Sequence, residues 1–599
     1  MIKINKLLPY LILFILILST IFLLYKGIGH SDTNEYTPLI LREIDSTYLN
    51  NDWFVNINES IYNVRYYFLL LLKLFYYALP NLPLIYFILY SISVLLIGLS
   101  TYLISNHLFN NQKTAILNSS LVLLGATFSL GGNVIVTQQL VSSGLSLGLT
   151  LIGFYFILKK RLILFSVFTG LATLLHFTWG ILFFGVIFIS YLITNPDRDK
   201  INKYIVSILV YLLFILCLIP LIMSQSNTSL GLSGKQLLSI MGYMRAPHHY
   251  LPLHWSFIDY LEFLFIIALF LFSINKVKLS QSTKKFLISI TIVVIILFFV
   301  DILLTEIIPF GLIIKFHIFR LSLLVNFISF IIIGEFIRTK LDTCLLDKSN
   351  KILVYILLFL SLFYNHLILI SLPLFFIFKY TESKEYKVES IIYLLLISSI
   401  IISIFLLIFQ FNKIEFLFHS KIVINLILKL MIIIPIILII YLKNYYQKMI
   451  MIILLLIIIS LFVLNNPPKL NYSPDKSTSD IYHFVKYNTP KNSIFIVPPR
   501  MESFRIGAQR AIVVDLKSFP FNEKDMVEWA QRMEDITHVN KSDPKFYSKV
   551  EDGYNSLTEE EIVALGQKYD ADYIIFQKPK SLDLKVIYEN EKYTSYSIS

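Results

Sequence analysis

Along the first 464 positions, apolar runs close to the length that an α-helix needs to cross hydrocarbon alternate with short polar segments, and no alternating ten-residue strand pattern occurs. The pattern predicts about fifteen spans. They lie near residues 8–25, 82–105, 114–130, 136–158, 162–175, 178–194, 204–224, 257–274, 286–305, 318–337, 352–364, 366–380, 388–411, 418–442 and 449–464. The hairpins 162–194 and 352–380 leave only about 15 residues per span, and reading each as one tilted helix lowers the count to about thirteen.

Lysine and arginine clusters orient these spans, because basic loops stay on the cytoplasmic side. Lys3 and Lys6, Lys113, Lys159–Arg161, Arg198–Lys203, Lys276–Lys285, Arg338–Lys351, Lys379–Lys387 and Lys443–Lys448 all fall on one side of the count. The N-terminus is then cytoplasmic. Three polar regions share the opposite, external face: a first loop at 26–66, a loop at 225–256, and everything after position 465.

The tail opens with the Pro/Asn/Ser-rich linker NNPPKLNYSPDKSTSD. Periodicity beyond it predicts a helix at 479–488, strands at SIFIVPP and AIVVDL, and a helix at 523–537. A helix from the capping-box pattern Ser556-x-x-Glu559 to Tyr569, a strand ADYIIF and a strand pair KVIYEN/YTSYSI complete it. The expected fold is thus a polytopic α-helical membrane domain, 1–465, followed by an extracytoplasmic α/β domain, 466–599.

Composition agrees: 56% of the 599 residues are hydrophobic and 15% charged, with mean hydropathy +0.71. The net charge of +12 raises the question of nucleic acid. From Asn466 onward, however, 18 basic residues face 20 acidic ones, so the excess belongs to the membrane portion, where it orients helices. No nucleic-acid partner is expected. Cys217 lies in an apolar run and Cys344 in a basic loop, which implies no disulfide framework. The basic start and apolar run at 1–25 lack an A-x-A cleavage pattern and read as a retained first helix.

Candidate chemistry begins in GIGHSDTNEYTPLILREIDSTYLNNDWFVN, Gly27–Asn56. Thr37-Pro38 suits the start of an amphipathic surface helix, with Trp53 and Phe54 at headgroup depth. Asp32 and Glu35 then occupy the turn before it, at the membrane boundary, as candidate catalytic carboxylates. The same Asp-x-x-Glu spacing is also a capping box.

A second cluster, MRAPHHYLPLHW, gathers Arg245, His248, His249, Tyr250 and His254 in the 225–256 loop. Arginine forks and imidazoles suit a phosphate or pyrophosphate. A divalent metal is left open but ranks lower, since neither carboxylate nor cysteine completes a ligand set in that loop. An interfacial loop shaped by Pro247 and Pro252 is the plain alternative.

Gly131, Gly132 and Asn133 with Thr137 and Gln138, His176 with Trp179, Asp301 with Glu306, and Lys315, His317 and Arg320 fall at external span ends and could line one cavity. An Asp301–Arg320 pairing between helices is an equal reading, and Lys429 has no evident partner. The tail sets Arg505, Arg510, Asp515 and Lys517 around a strand end, where α/β sheets commonly hold ligands. Most such charges are solvated.

The acidic first loop with Asp32, Glu35 and TPLILREIDSTYL, the spans and the α/β tail together resemble the GT-C superfamily of membrane glycosyltransferases. Protein O-mannosyltransferases and the lipid A aminoarabinose transferase belong to that superfamily. NDWFVN, RAPHHYLP and RAIVVDLKSFPF resemble a narrower group of bacterial multi-spanning membrane proteins, a likeness that implies no particular substrate. The dense Asp-Glu pair of protein O-mannosyltransferases is missing. The resemblance implies a bacterial cell-membrane enzyme that moves a sugar from a polyprenyl-phosphate donor to an external acceptor by inverting displacement. Asp32 would be the base, with Glu35 second, and Arg245, His248, His249, Tyr250 and Arg320 would bind the lipid phosphate. No cofactor is specified, and a divalent metal stays open. A transporter or flippase of a lipid-linked or polar solute, and a non-catalytic envelope-assembly protein, are the competing expectations.

Overall fold

A computed structural model describes residues 2–59, 62–125, 129–196, 199, 201–346, 351–363, 365–382, 420–442, 444–465, 467–468, 470 and 472–598. The expected span 388–411 and the start of that at 418–442 lie outside the described residues. The chain is a polytopic helical membrane protein with a C-terminal α/β domain. Seven described helices are long and apolar enough to span: Leu7–Leu24, Leu82–Phe109, Phe177–Thr194, Phe257–Ile274, Gln281–Ile307, Ile318–Leu345 and Tyr446–Leu464. An eighth span is broken, because the helices Ile201–Leu216 and Ile219–Asn227 meet at 50° just before Pro220, where a single helix was expected.

Both short hairpins are pairs of separate helices, Leu162–Leu175 with Phe177–Thr194, and Ile352–Ser361 with Asn365–Glu382. The expected span 136–158 is shorter than its apolar run: its helix begins at Ser142, and an irregular segment carrying Gly131 and Gly132 precedes it. The centre of the bundle is the helix Ser322–Leu346, most of whose side chains are buried all round.

The chain after the first helix, α1 (Ile2–Leu24), runs through α2 (Thr33–Ile44), α3 (Trp53–Glu59) and α4 (Tyr66–Ala78). Thr33 sets the start of α2: its hydroxyl accepts the Gly29 and His30 N–H groups at 3.0 Å each and donates to the His30 carbonyl at 2.7 Å. The helix therefore begins four residues before the expected Thr37-Pro38 pair. Pro38 sits inside it and removes the N–H that would have met the Asn34 carbonyl. The thirteen-residue α4 fills a stretch to which the apolar pattern assigned no element; at about 20 Å it is shorter than a span. Lys73 of α4 pairs with Glu43 of α2 at 2.7 Å.

In the tail, strands β1 (Ile494–Ile496), β2 (Ala511–Ile512), β3 (Tyr573–Gln577), β4 (Val586–Glu589) and β5 (Tyr593–Ser597) form one sheet of order β2-β1-β3-β5-β4. Strand β1 is parallel to β2 and β3, and β5 is antiparallel to β3 and β4. Period-two alternation serves both faces. Ile496, Ile574 and Phe576 pack with Trp529, Phe546, Tyr554 and Ile562, while Phe495, Val497 and Ile575 pack with Ile481, Val485 and Phe504. The capping box of the helix Glu559–Tyr569 is Thr558 with Glu561, not Ser556 with Glu559. Ser556 instead closes the preceding helix, Phe546–Asn555, by donating its N–H to the Asp552 and Gly553 carbonyls at 3.1 Å each.

The three polar regions interlock. Leu237, Ile240, Met241, Met244 and Leu251 of the 225–256 loop belong to the apolar core of the tail. Glu523 accepts the Leu230 and Leu232 N–H groups at 2.9 and 3.2 Å and pairs with Lys315 at 2.8 Å. Despite burial, these partners hold its carboxyl down at about 2.

The first loop is tied in by Arg505, whose Nε lies 2.7 Å from Asp52 and whose Nη1 meets Asp515 and, at 2.9 Å, Ser518; the two carboxylates are wholly buried. Asp52 also accepts the Ile512 N–H at 3.0 Å. Phe54 is consequently buried, 5.3 Å from the Arg505 guanidinium, and Trp53 lies 4.6 Å from that of Arg532. Both aromatic rings pack against the tail rather than at headgroup depth, because the tail offers them cations as well as apolar cover.

Removing one member of a buried ionic network strands the others. Arg505→Met is expected to cost about 3–5 kcal/mol. Thermal unfolding in detergent checks this against Arg500→Met, an exposed arginine that should lower the midpoint far less.

Candidate functional site

Two carboxylates at the start of α2 face three cations from three separate segments. Asp32 occupies the N-cap position yet makes no cap hydrogen bond to the helix. Its carboxylate instead meets Lys517 Nζ at 2.6 Å. Glu35, one helical turn on, is buried between two arginines: Arg245 Nη2 is 2.8 Å from Oε1, and Arg65 Nε is 3.1 Å from Oε2, with Arg65 Nη2 on the same oxygen. Each arginine also donates to the tail backbone, Arg245 to the Lys517 carbonyl at 2.9 Å and Arg65 to the Phe519 carbonyl at 2.8 Å. The Lys517 amine reaches Glu35 as well, at 4.0 Å.

The electrostatics separate the acids. Burial pushes the Asp32 carboxyl up, but Lys517, Arg245 and Arg65 outweigh it and hold the group well below the usual carboxylate range. Glu502 behaves oppositely: burial and the nearby Asp515 raise it, although Lys517 and Arg245 pull the other way. Three buried polar atoms here, Arg65 Nη1, Arg245 Nε and Asn34 Oδ1, have no hydrogen-bond partner among the described residues.

The histidines form an adjoining layer. The His248 and His249 ring centroids are 4.1 Å apart and those of His249 and His317 4.9 Å apart, with the buried Tyr250 ring 5.2 Å from His317. His249 Nδ1 meets the Gly131 carbonyl at 2.6 Å. Only glycine fits that loop: Gly131 has φ +75°, and a Cβ there would stand 3.1 Å from His317 Nε2. His317 itself holds a left-handed φ of +52°. Arg320 donates from Nε to His317 Nδ1 at 2.7 Å and from Nη1 to Thr178 Oγ1.

The imidazoles do not carry charge near neutrality as their residue type suggested. Burial, then Arg245 and Lys517, push His248 down to about 4; burial, then neighbouring charges, push His249 and His317 far down as well.

Asp32, Glu35, Arg245, His248, His249, Tyr250 and Arg320 are thus brought together. Other candidates are drawn elsewhere. His254 and Glu306 pair at 3.0 Å, and Lys315 serves Glu523. Asp301 accepts from Thr305 at 2.9 Å rather than pairing with Arg320. Arg510 donates to the Lys486 and Thr489 carbonyls within the tail. Among the described residues no three His, Cys, Asp or Glu side chains gather as a cation site. Sequence reasoning missed Arg65 and Glu502, which no local pattern marks, and set Lys517 at a strand end suited to a ligand without linking it to Asp32.

A domain family of unknown function, DUF6798, matches residues 476–536. No curated protein matches the chain. Among solved structures the chain is similar to apo ArnT from Cupriavidus metallidurans at 9% identity and TM-score 0.48, over 97% of this chain and 96% of that one. It is similar to the same protein bound to undecaprenyl phosphate at 8% identity and TM-score 0.44, covering 99% and 98%. An Archaeoglobus fulgidus oligosaccharyltransferase tethered to an acceptor peptide matches at 11% identity and TM-score 0.44, covering 96% and 69%. These proteins have the GT-C plan that the sequence resembles.

A histidine held neutral by folding binds fewer protons than it does unfolded, so stability is full above the unfolded value and falls as pH drops from about 6.5 towards 4. Thermal midpoints across this range should decline in the wild type by more than in His248→Asn. The Asp32 contribution, a depressed carboxyl, is lost only below that window.

Proposed function

We propose that the protein is a membrane glycosyltransferase that moves a sugar from a polyprenyl-phosphate donor to an acceptor hydroxyl on the external, tail-bearing face. The observation that carries this reading is the non-equivalence of the two acids. Glu35 is locked between Arg65 and Arg245, whereas the Asp32 carboxylate makes no cap bond and has one ion pair, with the Lys517 amine, beside a 3.3 Å hydrogen bond from the Ser31 hydroxyl. A carboxylate held by a single flexible ammonium can be released by any stronger anion that the ammonium prefers.

A donor phosphate is such an anion. As it enters, Lys517 turns from Asp32 to the phosphate, joined by the unpaired Nε of Arg245, with Arg320 and the neutral imidazole of His248 donating hydrogen bonds, while the one N–H of a neutral His249 stays on the Gly131 carbonyl. Asp32, freed, takes the proton of the acceptor hydroxyl. The acceptor oxygen forms its bond to the anomeric carbon as the bond from that carbon to the phosphate oxygen breaks, and the electron pair leaves with the phosphate. Single displacement inverts the anomeric centre. Proton removal by a positioned base contributes roughly 10²- to 10⁴-fold. The arginines stabilise the charge that grows on the departing phosphate. Glu35 is a positioning residue: it fixes both arginines and, through them, the Lys517–Phe519 backbone.

The test is transfer of labelled sugar from a polyprenyl-phosphate donor by the purified protein in liposomes. Asp32→Asn should lower kcat by about 10²-fold or more with donor KM nearly unchanged, whereas Lys517→Ala should raise donor KM. Wild-type rates in Asp32→Asn would exclude it as the base. Uptake of a solute by the same liposomes with no transfer would replace this reading with transport.

A further inference from the structure

A second recess lies in the tail, outside the cluster around Asp32. It measures about 640 Å³ and is lined by residues that follow β1, among them Arg500, and by Gln577, Lys578 and Lys580 at and beyond the end of β3. Its position follows from the sheet order. The chain leaving β1 turns towards β2 on one side, and the chain leaving β3 turns towards β4 and β5 on the other. The two connections part at the carboxyl ends of adjacent parallel strands, which opens a crevice there whatever the side chains are.

The side chains give that crevice a sign. Arg500, Lys578 and Lys580 line it against one carboxylate, Glu551. The Arg500 backbone N–H donates to Glu551 Oε1 at 3.0 Å, but the guanidinium meets that carboxylate only at 4.0 Å through Nε, while its Nη2 donates to the Tyr547 carbonyl at 2.6 Å. Lys578 pairs with Glu589 at 2.6 Å, both side chains substantially exposed, so the pair opens at little cost. Lys580 donates to the Leu557 carbonyl at 3.0 Å and has no carboxylate partner among the described residues. Burial pushes the Glu551 carboxyl up, against the Arg500 N–H and guanidinium, which pull it down. The Gln577 and Asn555 amides add donors and acceptors of the kind that sugar hydroxyls use.

Arg500 of the recess and His248 of the histidine layer have one aromatic neighbour in common. The Tyr547 ring lies 4.5 Å from the Arg500 guanidinium on one side and 6.0 Å from the His248 ring on the other. A chain-like ligand held at Arg500 can therefore extend past Tyr547 towards His248 and Asp32.

We infer that this recess binds the acceptor of the transfer proposed above, and that the acceptor is a polyhydroxylated chain bearing anionic groups, phosphate or carboxylate. The identification as acceptor rests on that function; the binding of an anionic glycan does not.

Calorimetry on the full-length protein in nanodiscs, with three probes of equal length, decides the matter: phosphorylated maltohexaose, a galacturonate hexamer and neutral maltohexaose. One anionic hexamer should bind about tenfold more tightly than the neutral one, and which of the two does so names the charged group. Lys580→Glu and Arg500→Ala should each weaken that binding by about tenfold, whereas Lys585→Glu, the same charge change at an exposed site outside the recess, should alter it by less than about twofold. Equal binding of all three hexamers, or equal effects of Lys580→Glu and Lys585→Glu, would overturn the assignment. Polyprenyl phosphate binding, measured in parallel, should be untouched by Lys580→Glu. Its absence from the wild type would defeat the transfer reading while leaving a confirmed anionic-glycan site in the tail.

Discussion

Charge that is taken out of water must be paired inside, and in this protein the partners come from segments far apart in sequence. Asp52 is wholly buried and reaches Arg505; Glu35 is nearly so and reaches Arg65 and Arg245. An unpaired buried carboxylate costs several kcal/mol, comparable to a large part of a domain's net stability. The first loop, the 225–256 loop and the tail are therefore not free to drift as three solvated appendages. Each holds charges that only the others neutralise, and the apolar residues Leu237 to Leu251 add a shared core to the same seam. Ion pairs and a common apolar core fix the tail against both loops.

That constraint explains why the acids behind the first span differ in what they can do. Glu35 has two arginines and almost no exposure, so its geometry is overdetermined. Asp32 lies at the rim, its side chain about one-third exposed, with a single lysine on a flexible stem. The arginines that lock Glu35 also grip the carbonyls of Lys517 and Phe519, so the acid least suited to move a proton sets the position of the amine that governs the acid best suited to it. The histidine layer is built on the same economy. Gly131 permits the close turn, His317 accepts a left-handed backbone, and burial keeps the imidazoles as neutral donors beside several cations.

Much of this was legible in the chain. The seven long spans follow from apolar length, whereas several of the other expected ones are helices of 10–17 residues, and most tail elements follow from periodicity and turn residues, the helices Phe504–Gly507 and Phe546–Asn555 excepted. The co-location of NDWFVN, RAPHHYLP and RAIVVDLKSFPF was foreshadowed by topology, which set all three on one face. What stayed hidden was tertiary. Nothing in NVRYYF marks Arg65 as the partner of Glu35, because an arginine before an apolar helix reads as a surface residue until another segment buries it. Trp53 and Phe54 read as an interfacial pair since a lone amphipathic helix has only the bilayer to face, and the tail supplies a surface that local pattern cannot contain. The start of α2 was misplaced for a smaller reason: Thr33 satisfies the turn through its hydroxyl, a hydrogen bond that competes successfully with the stronger local signal of Thr37-Pro38.

A base held well below the ordinary carboxylate range looks ill-suited to its task, and the resolution lies in which charges hold it there. Each unit of pKa corresponds to about 1.4 kcal/mol of preference for the ionised form. For Asp32 the cations Lys517, Arg245 and Arg65 supply this preference against burial, which alone would raise the group. In the proposed reaction a phosphate draws Lys517 to itself, the attraction that this amine gave Asp32 falls, and the carboxyl rises towards a range where it accepts a proton readily. On the proposed function the donor prepares the base through the lysine they share. An acid paired as firmly as Glu35 cannot be tuned this way, since its arginines are fastened to the tail backbone as well. The position of Asp32 outside that double clamp is what makes it responsive.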